Sequence, residues 1–214
     1  MNKPIIFVRV ADMKYYQGIT ENDIPYNGGA YVKETGIAHE CHNFAPIVED
    51  GQEYEKCIGF FMMMGGKGVE QLHIEKIPGC ESMKHEEKVE DVIVVFVSKS
   101  RCSKNMRVVG FYKNATVYRH RHIMTIENDY EQEYLFEAKK EDCVVLPYTT
   151  RFSDSAWYVP SSTSKYSDFG FGRANVWFGG GKNASDKEKD YVKKMICSVT
   201  NYVGDNWIEK GGVV

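Results

Sequence analysis

The chain has 214 residues, of which 43% are hydrophobic and 27% are charged, and its formal net charge at pH 7 is -3. This composition allows one sizeable hydrophobic core and excludes both a disordered chain and a protein that coats nucleic acid by bulk attraction, although a local basic face is compatible with it. No apolar run approaches the roughly 20 residues that span a bilayer, no signal-peptide pattern is present, and the six cysteines form no Cys-x-x-Cys pair, so we expect a cytoplasmic protein with reduced thiols and no membrane partner.

The N-terminal half of the sequence is dominated by predicted β-strands. The first is the apolar run 4–10, in which Arg9 is an exception, because a charged residue in a core strand needs a partner or an open edge. Apolar segments at 57–64 and 69–77 flank a GGKG turn and predict a β-hairpin. The continuous apolar run Val92–Ser98 predicts a strand buried on both faces, and we expect it to form a second hairpin with 106–112.

The C-terminal half adds shorter strands, a long loop and one helix. Extended segments are predicted at 115–126, 133–138, 143–147 and 175–178, and residues 149–174, which are poor in aliphatic side chains, predict a long and functional loop. A helix is predicted from Ser185, an N-cap with Glu188 three residues later, to Val203, before Gly204. Its apolar stripe contains Val192, Met195, Ile196 and Val199.

These elements predict an α+β fold in a single domain that covers residues 1–214. We expect a curved, mostly antiparallel sheet or barrel with a C-terminal amphipathic helix at about 185–203. Cys57, Cys143 and Cys197 lie in apolar stretches and are interpreted as small core residues.

Motifs for catalysis or metal binding are absent from the sequence. Two histidine-rich stretches, HECH at 39–42 and HRH at 120–122, contain zinc-binding residue types, but adjacent Cys41 and His42 do not match the spacing of zinc ligands. The chain has no Gly-x-Ser-x-Gly motif and no phosphate-binding loop, and the GGGK segment at 179–182 is only a weak anion site. We therefore predict no catalytic residue, no metal and no cofactor.

One stretch, FYKNATVYRHRH at 111–122, combines aromatic, amide and basic residues. Because alternate side chains of a strand share a face, Tyr112, Asn114 and Tyr118 are predicted to lie together, opposite Lys113 and Arg119. Aromatic rings beside basic groups are typical of nucleic-acid binding, although aromatic residues are also common in the core of ordinary strands.

A second stretch, FGFGRANVWFGGG at 169–181, alternates glycine with aromatic residues. Glycine lets a backbone approach a flat ligand, and Arg173, Asn175 and Trp177 would share one face if this part is extended. The alternative interpretation is a glycine-rich loop that phenylalanine and tryptophan anchor.

Several segments together carry a family resemblance. They are FVRVADMKYYQGIT, AYVKETGIAHECHNF, EDVIVVFVSKS, RVVGFYKNATVYR, CVVLPYTTRF followed by WYVP, and FGFGRANVWF, and they span roughly residues 5–178. The pattern resembles a bacterial family attached to HNH-type nuclease domains in restriction-related proteins. The order of the segments is similar to the PUA-like superfamily, which includes the EVE, YTH and ASCH domains.

The resemblance implies a reader of a modified or flipped base, which needs stacking on two faces and hydrogen-bond partners for its edge. The residues expected to stack on the base are Tyr16, Tyr112, Tyr118, Trp157 and Trp177, and those expected to read its edge are Asn43, Asn114 and Asn175. We expect Tyr16, Tyr112 and one of the two tryptophans to line a single pocket. The residues expected to contact phosphates are Lys113, Arg119, Arg151 and Arg173.

The partner implied by the resemblance is nucleic acid, specifically DNA with modified bases. Because no nuclease segment is visible, a nuclease effector is expected on another chain. Two alternatives stay open: a binder of a free nucleotide-like ligand in the same pocket, and a nuclease or hydrolase. The last would use the histidines His39, His42, His120 and His122. A basic surface around 99–121 favours nucleic acid, a closed pocket without a basic track favours the free ligand, and converging histidines favour the enzyme.

Overall fold

Strands make up most of the regular structure of the computed structural model, which describes residues 3–27, 39–49, 51–63, 71–100, 103, 105–126, 130–165 and 167–210. The strands are β1 (Ile5–Arg9), β2 (Ile47–Val48), β3 (Glu55–Gly59), β4 (Lys88–Lys99), β5 (Met106–Ile126), β6 (Tyr130–Lys139), β7 (Cys143–Val145), β8 (Tyr158–Val159) and β9 (Val176–Trp177). The described α-helices are α1 (Tyr148–Ser153) and α2 (Asp186–Thr200). Short 3₁₀ helices lie at His39–His42, Ile74–Lys76, Glu81–Met83, Lys140–Asp142, Ser155–Trp157 and Trp207–Glu209.

The described strands form one open, mixed sheet. Its order is β2-β3-β6-β5-β4-β1-β9, and β7 and β8 also pair with β5. Every pairing is antiparallel except that of β1 with β4, where Ile5 lies opposite Ile93 and Arg9 opposite Val97. The mostly antiparallel α+β class is therefore confirmed, and within the described residues the sheet does not close into a barrel.

A bulge in β5 overturns the predicted alternation of side chains along that strand. Val92 pairs with Ala115 but Val94 pairs with Tyr112, so three steps on β5 match two steps on β4. The extra residue moves the side chains that follow it, as far as Val117, to the other face of the sheet. As a result Tyr112, Ala115 and Val117 all face the same core, and Tyr112 does not share a face with Tyr118 as predicted.

The sheet separates two hydrophobic cores. The first core contains Ile6, Val8, Phe96 and Tyr112, and the second core contains their strand neighbours, such as Phe7. Strand β1 alternates between the cores, and residues 92–97 of β4 are fully buried, which confirms the prediction of a strand covered on both faces.

Helix α2 covers the second core. The Ser185 hydroxyl accepts a hydrogen bond from the Glu188 amide (3.2 Å), and Val192, Met195 and Val199 are buried, as predicted. The helix ends at Thr200 instead of 203, because the Asn201 amide already caps the last turn, and Val203 is 97% exposed. No described helix is long and apolar enough to cross a membrane.

Three further expectations are wrong. Residues 74–76 form a 3₁₀ helix and not the second strand of a hairpin, while the proposed turn at 65–68 lies outside the described residues. The segment 149–174 contains α1 and β8 and is not one continuous loop. Cys197 is exposed on α2, although Cys57 and Cys143 are buried as expected.

Candidate functional site

The aromatic pocket predicted from the sequence does not form. Tyr16 and Tyr112 are fully buried in the first core, whereas Trp157 is 3% exposed in the second core, on the other side of the sheet. The Tyr112 hydroxyl donates to the Asn43 carbonyl, and the Tyr16 hydroxyl donates to the Ala11 carbonyl (2.6 Å). These rings therefore stabilise the fold, and their polar atoms are already satisfied by the backbone.

Two of the predicted phosphate ligands are also internal. Arg119, which is 6% exposed, donates to the Glu75 carboxylate (2.8 Å) and to the backbone carbonyls of 83, 84 and 86. Arg151, which is 1% exposed, donates to the backbone carbonyls of 13, 14 and 146. Their donors are occupied, so the prediction that they bind phosphate is wrong.

The predicted amides are mostly engaged as well. Asn43 is fully buried, and its side chain both donates to and accepts from the backbone of Phe60. Asn114 is exposed and bonds to Lys3 and Asp142 on the outside of β5. Asn175 donates to the Met62 carbonyl (2.9 Å).

The remaining predicted residues do not converge on one point. Tyr118 donates to Glu137 (2.5 Å), Lys113 is half-buried on β5, and the Trp177 ring stacks on Phe7 with ring centres 4.5 Å apart. Arg173 is exposed and follows the cleft residue Gly172, so it lies beside the cleft described next.

An open cleft of about 1010 Å³ lies where the second core ends. Along β1, Ile5 and Phe7 face the second core, so Arg9 points to the same side of the sheet. By the same alternation Lys99 follows Val97 on β4, and Lys99 pairs with Met106, which in turn pairs with Val159. The ends of β1, β4, β5 and β8 thus bring Arg9 and Lys99 to one edge of one face.

The charge of the cleft is positive although the whole chain is negative. Arg9 and Lys99 line it, and none of the described lining residues is acidic. The Arg9 guanidinium donates to the Gly172 carbonyl (3.2 Å) and lies 4.9 Å from the centre of the Phe171 ring. Its Nε atom has no hydrogen-bond partner in the described part of the chain. Burial lowers the pKa of Arg9, but an arginine with this environment stays charged at neutral pH.

Aromatic rings and hydroxyl groups complete the walls of the cleft. Tyr26 is 42% exposed, and the Tyr158 ring is flanked by the Arg107 guanidinium at 5.5 Å. The residues Ser161, Thr163 and Ser164, which carry hydroxyl groups, also line the cleft. Cations, rings and hydroxyls together suit a ligand that carries phosphate and a flat ring.

A glycine, Gly170, lies where the chain beside the cleft packs closely against Pro160. Gly170 has φ +107°, and a Cβ atom there would lie 2.1 Å from the Pro160 carbonyl oxygen. The glycine therefore permits a close approach between two segments of the chain, and not to a ligand as the alternation of glycine and aromatic residues had suggested.

Three of the histidines named in the enzyme alternative contact neighbouring side chains or a backbone amide. His120 bonds to Glu87, His122 lies beside Tyr118, and His39 accepts from the Glu133 amide. Among the described residues no group of three or more His, Cys, Asp or Glu side chains is arranged to hold a metal. In the GGGK loop at 179–182, the Gly180 amide donates to the Glu188 carboxylate (3.1 Å), so this donor is already occupied by a side chain of the protein.

The sequence analysis assigned none of the residues that line this cleft to a site, although it singled out Arg9 as a charge that needs a partner or an open edge. Arg9 was identifiable, because a cation at the end of an apolar strand requires an open edge. Tyr26, Lys99 and Tyr158 carry no local signal, since only the pairing of distant strands brings them together.

Comparison of the chain with protein family models, with curated proteins and with solved structures gives no match.

Proposed function

We propose that this chain is a nucleic-acid-binding module that receives one nucleotide of its target, with a modified or flipped base, in the cleft around Arg9. The observation that carries the proposal is that Arg9 and Lys99 line the same cleft, where none of the described lining residues is acidic. The whole chain, in contrast, has a net charge of -3. Because the rest of the protein is acidic, anions are attracted to this local cationic site and not to the surface as a whole.

The chemistry of the cleft fits the parts of a nucleotide. Arginine and lysine bind phosphate through charge-assisted hydrogen bonds, so Arg9 and Lys99 supply donors for the anionic part of the ligand. The rings of Tyr26 and Tyr158 suit stacking with a base, and the serine and threonine side chains that line the cleft suit sugar and base edges. The resemblance to PUA-like readers supports the same class of ligand and a role in restriction or antiviral defence, with a nuclease effector on another chain.

A free nucleotide is the second candidate, and the size of the cleft favours it. Its volume of about 1010 Å³ matches the upper end of small-ligand sites, which is about 1,000 Å³. Mononucleotides that bind as tightly as strands would support this alternative, whereas a strand that binds much more tightly supports the nucleic-acid reading.

The test is a titration of the purified protein with oligonucleotides that carry different base modifications, at one stated salt concentration. We expect Arg9→Gln to weaken binding about tenfold to a hundredfold, since a hydrogen bond to a charged group contributes roughly 1.5–3 kcal/mol. Lys193→Gln on the exposed side of α2 removes the same charge and is expected to leave the affinity unchanged. Equal effects of the two substitutions would contradict the proposal.

A further inference from the structure

A second cluster of lysines and aromatic rings lies outside the cleft. The Tyr15 and Trp207 ring centres are 5.4 Å apart, and the Lys14 ammonium lies 4.7 Å from the first and 5.5 Å from the second. The Lys210 ammonium lies 5.7 Å from the Trp207 ring. Within the described residues neither ammonium forms an ion pair. We call these four residues the lysine–aromatic platform.

The platform is held in place by the buried side chain of Asp23 and the partly buried side chain of Asn206. The Asp23 carboxylate accepts from the amides of Lys14 (2.6 Å) and Tyr15 (2.7 Å). The Asn206 side chain accepts from the amides of 145 and 208 and donates to the carbonyl of 143, which fixes the segment that carries Trp207. A surface with both ring-bearing segments anchored loses little entropy when a ligand binds.

The platform is connected to the cleft along the protein surface. A hollow of about 360 Å³ lies between them and is lined by Lys14, Ile24 and Tyr148. The Tyr148 hydroxyl is 3.5 Å from the hydroxyl of Ser100, and Ser100 lines the cleft. Arg9 and Lys14 are five positions apart in the chain, so their Cα atoms are at most about 18 Å apart.

Two of the three carboxylates that line this hollow, Asp12 and Asp23, are buried and engaged, and the third, Glu21, is exposed to solvent, which screens its charge. Asp23 is 5% exposed and bonded to backbone amides, and Asp12 is 3% exposed and accepts from Ser98 and Tyr148. Their negative charge is therefore buried and engaged, while the ammonium groups of the platform are not paired with acids.

We propose that the lysine–aromatic platform is a second contact for the nucleic-acid strand whose central nucleotide occupies the cleft. This inference rests on the proposed function. Flanking bases stack on Tyr15 and Trp207, and Lys14 and Lys210 turn from the rings to the phosphates. Stacking of this kind accepts any base, so the platform adds affinity and the cleft supplies selectivity.

The experiment compares three ligands of the whole chain. One is a single strand of about ten nucleotides, long enough to span both sites; the second has the same phosphates but lacks the bases that flank the central nucleotide; the third is a dinucleotide. We expect the unchanged protein to prefer the intact strand over the abasic one by about tenfold or more, because each stacked base contributes that order of affinity. Trp207→Ala should abolish this preference and leave dinucleotide binding unchanged.

Tyr54→Ala is the matched control. The Lys139 ammonium lies 5.2 Å from the centre of the Tyr54 ring, which is partly exposed, but Tyr54 directly precedes β3 and is not part of the platform. If Trp207→Ala does not fold, the double variant Lys14→Gln, Lys210→Gln keeps the rings and should bind both long strands more weakly, with a smaller salt dependence.

Unchanged binding of all ligands by both platform variants would overturn the platform while leaving the cleft proposal in place. Equal competition by polyglutamate would overturn it in favour of an acidic peptide. A protein that binds none of the three ligands would overturn the platform and the proposed function together.

Discussion

Arg151 shows how an arginine can stabilise a fold instead of binding a ligand. It is 1% exposed, donates to three backbone carbonyls and lies 3.9 Å from the Asp12 carboxylate. We expect Arg151→Ala to lower the free energy of unfolding by about 3–5 kcal/mol, because the substitution leaves a buried carboxylate and several carbonyls without their partner. Denaturant unfolding measures this loss. A stable variant with selectively reduced ligand binding would contradict the structural role.

The buried carboxyl group of Glu40 makes the stability of the folded protein depend on pH. Burial raises its pKa from 4.5 to about 7, although the Ala11 amide donates to it at 3.0 Å. Between those values the folded state holds a proton that the unfolded state has lost, so the free energy of unfolding falls as pH rises from 4.5 to about 7.

Glu40→Gln removes this titration and isolates its effect. Its stability relative to the unchanged protein should increase across that pH range and then stay constant, by at most about 3 kcal/mol. Thermal or denaturant unfolding at several pH values measures the difference between the two proteins. A difference that does not vary with pH would show that Glu40 does not titrate in this range.

The sequence distinguished poorly between core and site aromatic residues. Tyr16, Tyr112 and Trp157 have the chemistry of a base-binding pocket, but the same rings also fill cores, and only the packing of distant strands decides which role a ring takes. Arg9 was noticed as an isolated charge in an apolar strand, but the sequence did not assign it to a site.

Among the elements around the cleft, the loop that contains Gly170 depends on the backbone conformation of this one residue. Gly170→Ala places a methyl group against the Pro160 carbonyl at a φ of +107°, which costs at least about 2 kcal/mol and displaces the wall. Gly172→Ala is the control, since its nearest neighbour would be the Ser162 hydroxyl at 3.6 Å. Denaturant unfolding of both variants tests the difference, and equal stability would contradict the assigned constraint.

Local patterns predicted the elements that are regular and missed those that tertiary pairing defines. Strands β1 and β4 and helix α2 follow from apolar runs and from the Ser185 cap. The parallel pairing of β1 with β4, the 21-residue length of β5 and its bulge depend on neighbours that are remote in sequence. One bulged residue was enough to reverse the predicted faces of β5, and with them much of the predicted site.

For the whole molecule, the central feature is a positive cleft on a chain with net charge -3. The proposed binding of nucleic acid therefore gains little from long-range attraction and depends on a few local contacts. The number of released counterions should be small, and it should be traceable to Arg9 and Lys99 in the cleft and to Lys14 and Lys210 in the platform.

The most direct test is the salt dependence of binding to a single strand, measured by fluorescence anisotropy between about 50 and 200 mM salt. The double variant Arg9→Gln, Lys99→Gln should bind more weakly, and its log–log slope should be smaller in magnitude by about 1.4, since each lost phosphate contact removes about 0.7. The control variant Lys187→Gln, Lys193→Gln has the same net charge as the cleft variant, because it removes two lysines from the exposed side of α2. It should keep the slope of the unchanged protein. An equal slope in all three proteins would contradict the assignment of the cleft as the nucleic-acid site.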